Sequence, residues 1–286
     1  MDAESQVPLV VFSNLDAVLH DRDGRSHEAV RPAISLLSAS QIPLVIASSR
    51  TRAEIEVLQE KLGIRHPFIA ENGAAVYIPV GYFPELPPHA VSRYGYQVVD
   101  VGIPYRDVVS TLHRLARQLN VGIESFSQMS VEEVGRAYGL SLLEARLAKL
   151  RDHTEPFRFT DATPKARKRL FHALHSAGFT SVDDGRFWHV RARTDAAVWV
   201  RMLRNCYSSA SHVPAGGLAD RMEDLSLLQE VDVPVVVQGP LAKSSAELFR
   251  AVPHAVLTRA AGTAGWNEGV MSLLQRVRGD GQRTAA

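Results

Sequence analysis

The sequence predicts an α/β protein with a doubly wound, Rossmann-like parallel-sheet core and an inserted α+β cap domain. Two apolar runs of strand length, at residues 7–13 and 42–47, read as strands buried on both faces, as in a parallel sheet. Helical periodicity follows each of them, the strand–helix alternation of a doubly wound fold. The buried-strand pattern lapses near Gly81 and returns at 234–237 and 255–258, so the core is expected to be discontinuous. Residues 1–82 and 190–286 are assigned to the core on this basis, and 83–189 to the cap.

The elements can be justified in chain order. The first run, VPLVVFS, leads into a polar turn carrying Asn14 and Asp16. A helix follows with Val30, Ile34 and Leu37 on one face and Pro32 expected in its first turn. The second run, IPLVIA, ends in Ser48-Ser49-Arg50, and Thr51 with Glu54 forms a capping box for a helix that buries Ile55, Leu58 and Leu62. Ligands of doubly wound sheets bind beyond the carboxyl ends of the strands, which is where residues 14–16 and 48–50 lie. Past Gly81, Val109, Leu112, Leu115 and Leu119 stand at helical spacing, and Thr163-Pro164 opens a helix with Leu170 and Leu174. Segments 179–182 and 187–190 flank Asp184-Gly185 and read as a β-hairpin with a type I′ turn. Another helix begins near Asp195.

Composition narrows the functional classes. The 286 residues are 45% hydrophobic and carry 32 basic and 31 acidic side chains. A net charge of +1 supplies no field to draw the chain onto nucleic acid or an acidic membrane. Cys206 is the single cysteine, which excludes an intrachain disulfide and suits a reducing compartment. The opening MDAESQ is polar and no apolar run approaches ~18 residues, so a soluble, cytoplasmic protein is expected, with a small polar or phosphorylated molecule as its partner. Eleven histidines show no metal-ligand spacing. His172 and His175 read as a solvated face, and Trp188, Trp199 and Trp266 as packing.

Four signals in order carry a resemblance: a buried strand running into Asn14-Leu15-Asp16-Ala17-Val18, Ser48 after the second strand, the helix near Asp195, and Gly217-Leu218-Ala219-Asp220 before Asp224. Together they resemble the active-site order of the haloacid dehalogenase superfamily. Further text is similar to its mannosyl-3-phosphoglycerate phosphatase branch: SSRTRAE at 48–54, HPFIAENG at 66–73, IPVGYF at 78–83, MSVEEV at 129–134, EPF at 155–157, LTRA at 257–260 and GWNE at 265–268. The resemblance implies a first motif Asp-x-Asp-Gly-Thr, whose first Asp attacks phosphorus and whose second is the acid/base. Here Asn14 stands for the nucleophile, Asp16 for the acid/base, and Ala17 and Val18 for Gly and Thr. Ser48 matches the phosphate-holding hydroxyl, and Ser49, Arg50, Glu71, Asn72 and Gly73 the substrate-facing segments. Asp220 and Asp224 match the acids that support Mg²⁺, and the motif-three Lys has no counterpart. Arg191, Arg193 or Arg50 would be left to supply positive charge.

An amide cannot form the acyl phosphate, and it removes a negative charge from the metal site, so Mg²⁺ binding is expected to be weakened or lost. Losing that charge favours an anionic ligand by roughly 1 kcal/mol at ~4 Å in water and about 4 at an effective dielectric of 20. Three functions follow from the resemblance. The first is a repurposed enzyme that uses Asp16, with Asp220, Glu223 and Asp224 as further carboxylates, for isomerisation, elimination, cyclisation or hydrolysis of a small polar or natural-product substrate. The second is a non-catalytic phosphosugar-binding pseudophosphatase. The third is a Mg²⁺-dependent phosphosugar phosphatase in which Asn14 is an introduced substitution.

Overall fold

The computed structural model describes residues 7–14, 26–208, 212–239 and 242–283. Asp16, Ala17 and Val18 therefore lie outside the described residues. The first half of the core comprises β1 (Val10–Ser13), α1 (Ser26–Ala39), β2 (Leu44–Ala47), α2 (Arg52–Leu62), β3 (Phe68–Ala70) and β4 (Ala75–Pro79). There follow β5 (Val91–Arg93), β6 (Tyr96–Asp100), α3 (Tyr105–Gln118), β7 (Gly122–Ser125), α4 (Val131–Tyr138) and α5 (Leu142–Ala148). Then come β8 (Glu155–Asp161), α6 (Pro164–Ser176), β9 (Phe179–Asp183), β10 (Trp188–Ala192) and α7 (Ala196–Tyr207). The chain continues through β11 (Ala215–Ala219), a 3-10 turn (Met222–Asp224), α8 (Leu225–Gln229), β12 (Val233–Gln238), α9 (Ala242–Ala251), β13 (Val256–Ala261) and α10 (Gly262–Arg283).

The main sheet has nine strands in the order β13-β12-β11-β1-β2-β3-β4-β6-β5. From β13 to β3 every neighbouring pair is parallel, and β4, β6 and β5 add antiparallel strands at one edge. Strand β1 sits centrally because all four of its residues are apolar or small and fully buried. Alternation along the strand sends Leu9 and Val11 into a core with α1, α2 and α10, and Val10 and Phe12 into a second core with α7, α8 and α9. Helices thus cover both faces, as the doubly wound reading requires.

A second, antiparallel sheet, β7-β8-β10-β9, packs its apolar face on α3 and α6. The two sheets do not divide the chain at 82/83 and 189/190. Strands β5 and β6, within the segment assigned to the cap, extend the core sheet, because Tyr96 and Val98 pack with Phe68 and Tyr77. Strand β10 runs across position 189/190 and belongs wholly to the second sheet.

Three local expectations are corrected. Pro32 lies inside α1, since the helix starts at Ser26 with Glu28 in its first turn. In α3 the buried positions are Val108, Leu112 and Ala116, so the buried face is rotated one residue from Val109. The hairpin after β9 closes with a four-residue loop, 184–187, because Asp183 pairs with Trp188. The Asp184 carboxylate takes the loop amides of Arg186 and Phe187, making a side-chain-closed turn in place of type I′. The capping box at Thr51 and Glu54 is present as expected. Among the described residues no helix is long and apolar enough to cross a membrane.

Trp266 on α10 is fully buried, and its indole N–H donates to Ser13 Oγ at 2.8 Å, tying the helix to the end of β1. Replacing Trp266 with Ala removes both the ring and the tie, and should cost about 3–5 kcal/mol of stability. Phe at that position should cost only about 1 kcal/mol for the hydrogen bond. Urea unfolding of the two variants checks the ordering.

Candidate functional site

Strand β1 has β2 on one side and β11 on the other, so the strand order reverses there. Such a switch point opens a crevice at the carboxyl ends of the strands. Asn14 follows β1, Ser48 and Ser49 follow β2, and Asp224 lies beyond β11; all four line a cavity of about 70 Å³. The second sheet roofs it with Asp184, His189 and Arg191.

The decisive contact is at the floor. Asn14 Nδ2 donates to Asp224 Oδ2 at 2.8 Å. The Asn14 backbone amide continues the β1–β11 ladder to the Leu218 carbonyl at 3.0 Å, so the side chain starts from a rigid position. Ser48 is buried, and its Oγ accepts the Arg50 amide at 3.1 Å. Arg50 itself is not among the cavity-lining side chains.

The Glu71-Asn72-Gly73 turn divides in two. All three residues have left-handed backbones, with φ of 49°, 58° and 85°. Asn72 and Gly73 line the cavity, but Glu71 does not. Its buried carboxylate accepts the amides of Asp152 and His153 at 2.7 and 3.1 Å and the Thr154 hydroxyl at 2.6 Å. Those bonds oppose a left-handed strain of roughly 1–2 kcal/mol for a residue with a Cβ. Glu71 is thus a clamp between the core turn and the segment before β8. Glycine suits position 73 because of its left-handed φ of 85°, while its carbonyl accepts the Trp199 indole at 2.7 Å.

The arginines also differ. Arg191 Nη1 donates to the Asn72 carbonyl and to Thr194 Oγ1, both at 2.7 Å, while its Nε is buried with no partner among the described residues. Burial lowers the Arg191 pKa, with the charges of Glu223 and Asp195 acting in the opposite direction. Arg193 points away and donates to the His175 carbonyl near the protein surface. Asp220 is buried 3.8 Å from Arg221 Nε, behind the lining residues. Glu223 lines the cavity, and although much of the residue is exposed, burial around its carboxyl pushes the pKa up. Asp220, Asp184 and Asp183 add to that rise and Arg221 opposes it.

Composition and spacing did not single out Asp184, His189, Thr194 or Arg221. Their approach depends on folding the second sheet over the first. The only local signal was the hairpin itself, which places positions 182–191 close together.

Comparison with known proteins follows the same lines. Residues 11–82 match the family model of haloacid dehalogenase-like hydrolases. The glucosyl-3-phosphoglycerate/mannosyl-3-phosphoglycerate phosphatase of Methanococcoides burtonii is 34% identical over 93% of this chain and 97% of its own length. That of Persephonella marina is 32% identical over 94% and 98%. The chain belongs to this phosphatase family of the haloacid dehalogenase superfamily. Its fold is shared with a haloalkanoate-superfamily phosphatase from Bacteroides thetaiotaomicron, at TM-score 0.64 and 15% identity over 97% of both chains. Synechocystis sucrose-phosphatase gives 0.60 and 12%, over 93% and 97%.

Hard divalent cations require oxygen ligands. The Asn14 N–H group cannot be one, and it takes up the Asp224 oxygen facing it, which leaves the Asn14 carbonyl oxygen and the second Asp224 oxygen as what this pair can offer. Among the described residues no group of three or more acidic, His or Cys side chains could hold a metal. In this arrangement Asn14 and Asp224 offer an ion one carboxylate fewer than a pair of acids would, which weakens the hold on Mg²⁺.

Two outcomes are expected. Asn14→Asp would place two carboxylates where a hydrogen bond now lies, lowering stability by on the order of 1–2 kcal/mol after solvent screening. Mg²⁺ should restore much of that loss in the variant and leave the unchanged chain's melting temperature unmoved. Separately, Glu71→Ala should cost about 3 kcal/mol, since three buried donors lose one acceptor, with amides 152–154 among those gaining hydrogen exchange.

Proposed function

We propose that the chain binds a hydroxyl-rich phosphorylated carboxylate of the glycosyl-phosphoglycerate class and acts on it by proton transfer, without an aspartyl phosphate. One observation carries this reading: the Asn14 amide, where the resemblance puts the nucleophile, is engaged with Asp224. The amide nitrogen lone pair is delocalised into the carbonyl, so Asn14 neither attacks phosphorus nor leaves as a carboxylate. The ligand class is supported by the relatives' names, which specify glucosyl- and mannosyl-3-phosphoglycerate. Asp16 is the acid/base in this reading, two residues beyond Asn14. Ser48, Ser49, Asn72, Gly73 and Arg191 would hold the ligand, with the buried Arg191 Nε, which has no partner among the described residues, available for an anionic oxygen. A Born-type cost attends any buried cation without its counter-charge, so a ligand anion would relieve the burial that lowers the Arg191 pKa.

A second reading, a non-catalytic binder, is favoured by the same floor contact. Asn14 and Asp224 satisfy each other, and neither needs to react. The two readings separate in one experiment. Mannosyl-3-phosphoglycerate is incubated with the unchanged chain, Asp16→Ala and Asn14→Asp, with and without Mg²⁺, and followed by ³¹P and ¹H NMR. The expected result is a new organic product from the unchanged chain, no inorganic phosphate, and loss of turnover in Asp16→Ala. Undiminished turnover in Asp16→Ala would sink the acid/base role. Saturable binding without product supports the binder. Mg²⁺-dependent phosphate release confined to Asn14→Asp would mean that one residue silences a phosphatase.

A further inference from the structure

The pleat of the second sheet decides which side chains face the core. On β10, Trp188 and Val190 pack with Phe157 and Leu170 in the sheet's own apolar cluster. Alternation therefore turns His189 and Arg191 to the opposite face, and both line the cavity. Val182, paired with His189 across β9 and β10, lines it too.

His189 is 4% exposed. Its Nε2 lies 2.9 Å from Asp184 Oδ2, while Nδ1 is buried with no hydrogen-bond partner among the described residues. Asp184 is itself held by Tyr138 OH at 2.6 Å and by the amides of Arg186 and Phe187 at 2.7 Å each. Burial disfavours its charge, but the His189 hydrogen bond and the electrostatic pull of that ring, then the Tyr138 hydroxyl and the Phe187 amide, outweigh it and keep the carboxyl well below its usual range. An ionised carboxylate only accepts hydrogen bonds, so Nε2 carries the ring proton. In the neutral ring Nδ1 then presents a lone pair. A carboxylate holding one ring nitrogen so that the other can accept is the arrangement used to orient proton-accepting histidines. Neither residue has a part in the functional reading above.

We propose that His189 Nδ1 is the roof's ligand-recognition atom, accepting a hydrogen bond from a hydroxyl of a sugar-like ligand in the cavity. This rests on the proposed glycosyl-phosphoglycerate reading and names the group that the roof reads. A fully ionised phosphate presents acceptors alone and leaves the lone pair unmet, whereas a hydroxyl can donate to it. Asp184 is the positioning residue, because its charge decides which ring nitrogen is protonated.

The test uses the full chain with ¹⁵N-labelled histidine, with the His189 signals assigned from a His189→Gln variant. The unchanged chain should show Nε2 protonated, and saturation with mannosyl-3-phosphoglycerate should shift the Nδ1 resonance. In Asp184→Asn the side-chain amide would donate to Nε2 and move the proton to Nδ1. Calorimetry should then give about tenfold weaker binding or more, as for a buried polar group left unpaired. Nδ1 already protonated in the unchanged chain, ligand binding without an Nδ1 shift, or undiminished affinity in a folded Asp184→Asn chain with a moved proton would each overturn the role of His189 alone. If Asp184→Asn does not fold, the ligand titration of the unchanged chain decides by itself. Failure of the unchanged chain to bind mannosyl-3-phosphoglycerate would overturn the ligand reading as well.

Discussion

A single 2.8 Å hydrogen bond, from Asn14 Nδ2 to Asp224 Oδ2, joins the ends of two neighbouring parallel strands at the point where the sheet order reverses. Its chemistry sets the character of the crevice. With a carboxylate at position 14, two like charges would face each other and call for a cation between them. With an amide, the pair is complementary and closes without one. The fold supports this contact closely: the backbone of Asn14 is in the β1–β11 ladder, and Trp266 holds the preceding Ser13 from behind. The floor is thus a rigid, polar and internally satisfied surface.

The roof is fastened to that floor by carboxylates and arginines working on backbone atoms. Glu71 collects the amides of Asp152 and His153 from across the chain, and Arg191 reaches the carbonyl of Asn72. Arg151 similarly reaches the Ser49 carbonyl at 3.3 Å. These bonds tie the turns beside the cavity to the second sheet and the segment before it, so the two are mechanically connected. Opening the roof would rearrange some of these bonds, the setting of a lid that admits a ligand and excludes solvent. The cost of breaking them would be set against the hydrogen bonds that the ligand itself makes.

Some of this was legible before folding. The buried strands, the capping box at Thr51 and the order of the motif residues depend on local periodicity and on residue identity, and each appears in the structure. Ser48, Asn72 and Asp224, matched by resemblance, and Arg191, one of three arginines offered to replace a missing lysine, line one cavity. Glu71 and Arg193 were assigned to the same surface, and they face elsewhere. A carboxylate on a turn carries no mark of whether it meets a ligand or three buried donors. Arg193 lies beyond the end of β10, and its partner on the far side, His175, belongs to a helix whose docking no local pattern specifies.

By itself, the sequence determined the fold class, the family and the presence of an amide at position 14, because these depend on which residue occupies which position along the chain. Tertiary structure alone decided what that amide meets. Asp224 is 210 positions from Asn14, and only the pairing of β1 with β11 brings their side chains into hydrogen-bond contact. The same is true of the roof. Asp184 looked like an ordinary hairpin-turn residue, and its role as the anchor of His189 follows from a loop that turns the carboxylate inward. Hydrogen bonds act over about 3 Å, and the residues that end within that reach are set by the packing of two sheets, which local sequence does not encode.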